Sequence, residues 1–368
     1  MSINIGIIGL PQSGKTTIFN ALTRGKVDTA SHTPEGSVPH VGITKIPEPR
    51  LQTLVDILHP TKIVPAEISY TDIGASVKGL AKDKGLGGEL LNRLSSVDAL
   101  IVVVRAFVNE SIAHAEGSLD VKRDIAAMDL ELVFSDLTII ERRLAKIDTS
   151  LKGAKADERH GFLREQETLM KFKADLERDL LIRDLALTPA EAKIIGNYQF
   201  LTAKPLLIII NISEDQLAQA KSLETELSLD YSPEKCRVIA FCGKLEMELV
   251  QLDNSAAREF RAEFGIEEAA LERTIRLSHE LLGFISFFTI ASNEVRAWSI
   301  PAGTSALKAA GKIHSDMERG FIRAEIINHD GLIKCGSLAE ARKQGLLRLE
   351  GKEYTVKDGD VITFLFNV

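Results

Sequence analysis

The run Gly9-Leu10-Pro11-Gln12-Ser13-Gly14-Lys15-Thr16 constrains the fold of this chain more than any other feature. It matches the pattern G-x-x-x-x-G-K-S/T in the context that gives the pattern meaning. Before it, Ile3-Asn4-Ile5-Gly6-Ile7-Ile8-Gly9 reads as a buried strand, β-branched and bounded by glycine. After it, Ile18, Phe19 and Leu22 recur at helical spacing. A loop held between such a strand and helix aims several backbone N–H groups at a phosphate. Gly9 and Gly14 permit the turn and the close approach. The helix adds the partial positive charge of its N-terminus. Lys15 is expected to reach the β- and γ-phosphates, Thr16 to hold Mg²⁺, and Pro11, Gln12, Ser13 and Thr17 to complete the cradle.

A phosphate loop needs a parallel sheet, and the sequence supplies its strands. Ala99-Leu100-Ile101-Val102-Val103-Val104, Pro205-Leu206-Leu207-Ile208-Ile209-Ile210 and Val238-Ile239-Ala240-Phe241 are nearly continuous apolar runs separated by helical segments. That pattern predicts an α/β fold with helices on both faces of the sheet. Residues 25–49 are rich in Gly, Pro, Ser, Thr and His and read as a long loop. Leu130, Val133, Leu137, Ile140, Leu144, Ile147 and Leu151 alternate spacings of three and four, an a/d seam. Residues 153–161 are small and polar, and Leu169, Phe172, Leu176 and Leu180 then resume a stripe. The expectation is an antiparallel helical hairpin. The last ~88 residues alternate strand and helix within a short span and read as a compact α+β module.

Composition narrows the function classes. With 368 residues, 45% hydrophobic and 26% charged, the chain reads as an ordinary globular protein of two or three domains. The formal charge of −7 argues against bulk electrostatic binding to nucleic acid and gives no support for DNA as a partner. Residues 282–368 carry 11 Lys and Arg against 10 Asp and Glu, so any RNA contact there comes from patterning. Lys308, Lys312, Arg319 and Arg323 are the candidates. Cys236, Cys242 and Cys335 have no metal-ligand spacing and read as reduced cytoplasmic thiols. The longest apolar stretch, residues 281–291, is short of the roughly 20 needed to span a bilayer, so no membrane role is expected.

The partners of the loop can be sought at the ends of other strands. Asp72 closes the strand-like Ala66-Glu67-Ile68-Ser69-Tyr70-Thr71 and suits a carboxylate supporting Mg²⁺. Asn211-Ile212-Ser213-Glu214 follows the strand ending at Ile210, where a guanine reader carries Asn-Lys-x-Asp. With Ile212 in place of Lys and Glu214 in place of Asp, the bidentate guanine contact is not secured, and ATP stands at least level with GTP. Cys242-Gly243-Lys244 is placed to close over the base with backbone amides. His32, His40 and His59 read as solvated loop histidines, and Arg105 as an ion-paired side chain.

These motifs, taken in order, resemble the Obg-like ATPases of the YchF family, within the translation-factor-related class of P-loop GTPases. Gly9 to Thr16 is similar to the first G motif, Asp72-Ile73-Gly74 to the third, and Asn211-Ile212-Ser213-Glu214 to the family's Asn-x-x-Glu form of the fourth. Pro47-Glu48-Pro49-Arg50-Leu51 is similar to the family's link after the first switch. Glu294-Val295-Arg296-Ala297-Trp298, Gly311-Lys312-Ile313-His314, the run from Glu318 to Glu325 and Val356-Lys357-Asp358-Gly359-Asp360 are similar to its TGS domain. The resemblance implies a P-loop domain over 1–120 and 203–281, a coiled-coil insertion over 121–202 and a β-grasp TGS domain over 282–368. It also implies a monomeric, Mg²⁺-dependent hydrolase of ATP, with weaker GTP use, releasing the diphosphate and phosphate. The implied partner is the ribosome, through its large subunit and RNA.

The chain departs from the family pattern where hydrolysis and switching are concerned. Ala75 holds a glycine position of the third motif, and Ser76 stands where a hydrophobic residue is usual. The switch threonine falls near Gly36, with Thr33 as a substitute, and Gln12 replaces an Asn. The expectation is a divergent paralogue with slow hydrolysis. The alternatives are a nucleotide-binding module with little or no turnover and a GTP-preferring enzyme.

Overall fold

A computed structural model describes residues 3–25, 27, 40–73, 86–109, 114–266, 268–291 and 293–367. His32, Thr33, Gly36, Gly74, Ala75 and Ser76 lie outside the described residues. In chain order the strands are β1 (Ile3–Ile8), β2 (His40–Lys45), β3 (Lys62–Val64), β4 (Glu67–Asp72), β5 (Ala99–Arg105), β6 (Leu206–Asn211), β7 (Cys236–Phe241), β8 (Phe284–Ala291), β9 (Glu294–Pro301), β10 (Phe321–Asn328), β11 (Arg348–Glu350) and β12 (Asp360–Phe366). They form two six-stranded sheets, ordered β2-β4-β1-β5-β6-β7 and β11-β10-β12-β8-β9-β3. The contacts divide the chain into two compact units, one of Asn4–Gly42 and Tyr70–Leu271, the other of Met1–Ile3, Ile43–Ser69 and Glu272–Val368.

In the larger unit β1, β5, β6 and β7 pair in parallel, with Ile7 opposite Ile101, Val102 opposite Ile208 and Ile208 opposite Val238. β5 and β6 are buried along their whole length, which is why their sequences do not alternate. Strand order runs outward from β1 in both directions, so the sheet reverses at β1. In open α/β sheets that reversal opens a crevice at the carboxyl ends of the strands. The phosphate loop leaves β1 there.

The long helix Val121–Leu151 starts on an Asp120 cap, whose side chain accepts from Arg123 N, and meets the Ala156–Leu176 helix. Val133, Ile140, Ile147, Leu169, Phe172 and Leu176 form their shared core. The expected seam differs at both ends. Leu130 is 45% exposed, because the first turns of the long helix instead bury Ile125, Met128 and Leu132 against the sheet core. Leu180 lies beyond the second helix and is also exposed. The break is shorter than the composition suggests: the second helix begins at Ala156 and carries Gly161 within it, on an open surface.

In the smaller unit β8 and β9 pair antiparallel, β12 joins β8 in parallel, and β10 lies antiparallel between β12 and β11. The helix Ala306–Ile313 lays Ala306, Ala309 and Ala310 on Phe287, Ile326, Ile362 and Phe364. Small residues on that helical face let it approach the aromatic layer closely. β2 lies within the stretch that reads as loop, and β8 within the 281–291 stretch; local pattern assigns neither as a strand. The helices Ala306–Ile313 and Ser315–Arg319 are interrupted at His314, whose extended backbone and ring cap the second. Among the described residues no helix is long and apolar enough to cross a membrane.

Candidate nucleotide site

The phosphate loop is built by steric necessity at two glycines. A Cβ on Gly9 would lie 2.4 Å from the Val103 carbonyl oxygen. Gly14 has φ +95°, and a Cβ there would lie 2.2 Å from Asn211 Nδ2. Both facts exclude a side chain. Gly14→Ala is therefore expected to weaken nucleotide binding at least about tenfold, since backbone strain of roughly 1–2 kcal/mol adds to the displacement of Asn211. Titration with a fluorescent ATP analogue checks it, and binding within twofold of the parent would contradict it.

Gly14 also caps the Lys15–Thr23 helix without any side-chain hydrogen bond, and the first turn holds no acidic residue. The leading N–H groups of this helix are thus open to an anion. Lys15 is buried, its Nζ donating to the Gly9 and Leu10 carbonyl oxygens at 3.0 and 2.9 Å. Burial pulls its pKa down to about 8, with Asp72 opposing the shift. Thr16 Oγ1 donates to Asp72 Oδ2 at 2.9 Å. Asp72 is buried, and its other oxygen, Oδ1, has no hydrogen-bond partner among the described residues. Burial raises its pKa, against the pull of Thr16, Lys15 and His40. A buried carboxylate oxygen left open beside a hydroxyl is a hard oxygen donor set of the kind Mg²⁺ takes when phosphates supply the rest. The residues therefore fit that ion.

Asn211 ends β6 and braces the loop rather than standing free. Its Nδ2 donates to the Ser13 carbonyl at 3.0 Å and its Oδ1 accepts from Gly243 N at 3.0 Å. One buried amide therefore joins the phosphate loop to the start of the Gly243–Leu249 helix. Ile212 and Cys242 turn their side chains into the sheet core, so only their main chain can face a base. Burial raises the Cys242 thiol pKa, which makes it inert. Glu214 and Lys244 are different: their side chains are 51% and 69% exposed and pair at 3.2 Å. Ser13 is buried, its Oγ unpartnered among the described residues, while Pro11 and Gln12 are exposed and Thr17 is half-buried.

Of the histidines weighed from sequence, His59 is exposed beyond a helix end, and His40 opens β2 near enough to Asp72 to lower its pKa. Arg105 donates to the Phe107 and Asn109 carbonyls and lies over the Phe107 ring. His114 escapes a reading by sequence. It shares a small pocket with Leu10, Pro11, Ser13 and Asp124, accepts at Nδ1 from Glu116 N, and pairs through Nε2 with Asp124 at 2.9 Å. Asp124 lies in the first turn of the long helix, and no local spacing in the sequence announces that pairing.

A parallel sheet reversing at β1, a glycine-bounded loop over an uncapped helix and a buried lysine define a P-loop nucleotide-binding protein of the GTPase class. A family model of 50S ribosome-binding GTPases matches residues 4–136, and the YchF-GTPase C-terminal model, described as a protein of unknown function, matches 284–367. The Ribosome-binding ATPase YchF of Bacillus subtilis is 39% identical over 370 residues, and that of Escherichia coli O157:H7 37% over 368, each covering both chains in full. The solved structure of the Schizosaccharomyces pombe YchF GTPase matches with a TM-score of 0.84 at 29% identity, over 99% of this chain and 98% of that one. The chain belongs to the YchF family.

Proposed function

We propose that this chain is a Mg²⁺-dependent purine-nucleoside triphosphatase, ATP favoured over GTP, releasing the diphosphate and phosphate while acting as a ribosome-associated switch or timer in the cytoplasm. The single observation that carries the reading is the loop with its open helix N-terminus and buried Lys15, locked to β6 through Asn211. The names of the relatives, ribosome-binding ATPases, support the ribosome as partner.

In this reading Lys15 exchanges its two loop carbonyls for β- and γ-phosphate oxygens and offsets the charge that develops during transfer. Thr16 Oγ1 and Asp72 would hold Mg²⁺, which, when bound, supplies Lewis-acid stabilisation of the phosphates. Asn211 keeps the Ser13 carbonyl in place, so the loop does not reorganise as charge builds. Base choice falls to the rim. Glu214 can accept a hydrogen bond from the exocyclic amine of adenine, and the main chain of Ile212, Cys242 and Gly243 borders the ring. With Glu214 in place of Asp and Ile212 in place of Lys, the bidentate contact to guanine is not secured, which favours ATP.

Ribosomal contact is assigned to the large subunit and its RNA, through the C-terminal module, read as a TGS domain, and the helical hairpin, with the protein acting as a monomer. Lys308 and Arg319 are held in exposed ion pairs with Glu318 and Asp316. Such pairs are worth at most about 1 kcal/mol, so RNA phosphates can displace the acids. The test is single-turnover hydrolysis with and without ribosomes, alongside competition of ATP and GTP for a fluorescent analogue. A clear preference for GTP overturns the base assignment. Nucleotide that binds but is never hydrolysed, even on ribosomes, reduces the chain to a binding module.

A further inference from the structure

A second cavity lies apart from the phosphate loop, and every residue that lines it belongs to the smaller unit. The sequence explains why it opens. β3 pairs with β9 in parallel for three residues, from Lys62 opposite Glu294 to Val64 opposite Arg296. Pro65 then ends the ladder, since it has no N–H to give. β9 runs on to Pro301, and among the described residues no strand pairs with it on that side beyond Arg296. The space left is a cavity of about 300 Å³, at the lower end of the range of small-ligand sites. Ile3, Val64, Pro65 and Trp298 give it apolar walls. Arg296 on β9 and Lys312 on the Ala306–Ile313 helix give it two cations, and Glu67 an exposed carboxylate.

Arg296 and Trp298 stand two residues apart on one strand and share a face. Both are held in place. Arg296 Cζ lies 4.9 Å from the centre of the Trp298 ring. Its Nε donates to Glu294 Oε1 at 3.0 Å, and Glu294 is itself paired with Lys62 at 2.6 Å. The indole donates through Nε1 to Thr289 Oγ1 at 2.9 Å and stacks with Phe287, the ring centroids 6.3 Å apart. Among the described residues no other hydrogen bond engages the guanidinium, so Nη1 and Nη2 are left for a ligand. A planar fork fixed at Nε and by stacking loses little freedom when it takes one.

The ligand class follows from the charges and the walls. A carboxylate satisfies one cation, whereas a phosphate monoester, at nearly −2, suits two. Beside the phosphate, the indole, the proline and the guanidinium plane accept a flat ring, as unstacked bases lie on aromatic and Arg planes. Glu67 can accept from a ribose hydroxyl or an exocyclic amine. We infer that this cavity is a second ligand site, taking one nucleotide unit with its phosphate on Arg296 and Lys312 and its base against Trp298 and Pro65. A free nucleoside monophosphate and the phosphorylated end of an RNA strand share that chemistry. The inference does not rest on the triphosphate reading above.

Trp298 is the only tryptophan of the chain, so its emission reports this cavity directly. The full chain is titrated with CMP, with inorganic phosphate and with a single-stranded oligocytidylate bearing a 5′-phosphate, read by Trp298 emission and by calorimetry. Expected is saturable CMP binding, at least about tenfold tighter than phosphate because the base adds its stacking. Arg296→Gln should weaken it about tenfold or more, since charge-assisted bonds are lost. That variant keeps a donor for Glu294, and its melting temperature should stay close to the parent's. Arg296→Lys keeps the charge without the fork and should fall between. Lys15→Met should titrate as the parent does. Stronger binding of the oligonucleotide than of CMP names an RNA end as the source; CMP binding without it names a free nucleotide, and either supports the inference. No response to CMP at millimolar concentration in either readout overturns it. So does phosphate that binds as tightly as CMP, or CMP binding unchanged in Arg296→Gln. Loss of CMP binding in Lys15→Met would place the ligand in the phosphate loop and overturns it as well. None of these results decides the triphosphatase reading, which hydrolysis tests separately.

Discussion

Replacing Lys15 by methionine is expected to end nucleotide turnover while making the ligand-free chain more stable. Turnover should fall by about a thousandfold or more, because a positioned charge on the transferring phosphoryl group has no substitute in the loop. The stability change follows from linkage. Burial lowers the Lys15 pKa from its ordinary 10.5 to about 8. A group whose folded pKa is depressed contributes stability above its unfolded pKa and loses it as pH falls through the folded value. Below pH 8, then, the charged ammonium costs roughly 3 kcal/mol in the native state. Methionine removes that cost and forfeits the bonds to the Gly9 and Leu10 carbonyls, about 1 kcal/mol each. The net gain is about 1 kcal/mol at pH 7, roughly 1–4 °C in apparent melting temperature. The advantage should shrink as pH climbs from 8 towards 10.5. A methionine variant that melts below the parent at pH 7 would refute this account of the buried charge.

Asn211→Asp should damage the site more than Asn211→Ala does. The alanine variant leaves the Ser13 carbonyl and the Gly243 N–H without their partner, a loss of roughly 1–3 kcal/mol for each buried group. The aspartate still accepts from Gly243 N, yet it points a buried negative oxygen at the Ser13 carbonyl. An uncompensated buried charge is the larger penalty. Nucleotide affinity should fall at least about a hundredfold in Asn211→Asp, about 2.7 kcal/mol, with alanine between it and the parent. Glu214→Gln is the contrast. Its side chain is half-exposed, so the variant should alter the ratio of ATP to GTP affinity and leave the grip on the phosphates intact. Calorimetry with both nucleotides separates these results. An Asn211→Asp chain that binds ATP as the parent does would show that the brace is dispensable.

The phosphate loop is legible in the sequence because every requirement for it is local. Strand, glycine turn, lysine and helix follow one another within about twenty residues, and each is fixed by spacing or by the absence of a Cβ. The buried strands β5, β6 and β7 are legible for a similar reason, since a strand covered on both faces must be apolar throughout. The helical hairpin is legible in its middle and misleading at its start. Leu130 fits the heptad, but whether a first turn faces its partner helix or the sheet depends on what lies beside it. β2 escapes notice because its alternating, half-exposed residues sit in a stretch whose composition signals loop.

The sequence by itself determined the class of fold and singled out Lys15, Thr16 and Asp72, because those depend on residue type and on neighbours along the chain. Only the tertiary structure decided that Asn211 is a brace, that His114 is pinned to Asp124, and that Arg50 reaches Asp358. Those pairings join residues that the chain holds 198, 10 and 308 positions apart. Their partners are chosen by where strand ends and turns come to rest, and no local spacing encodes that.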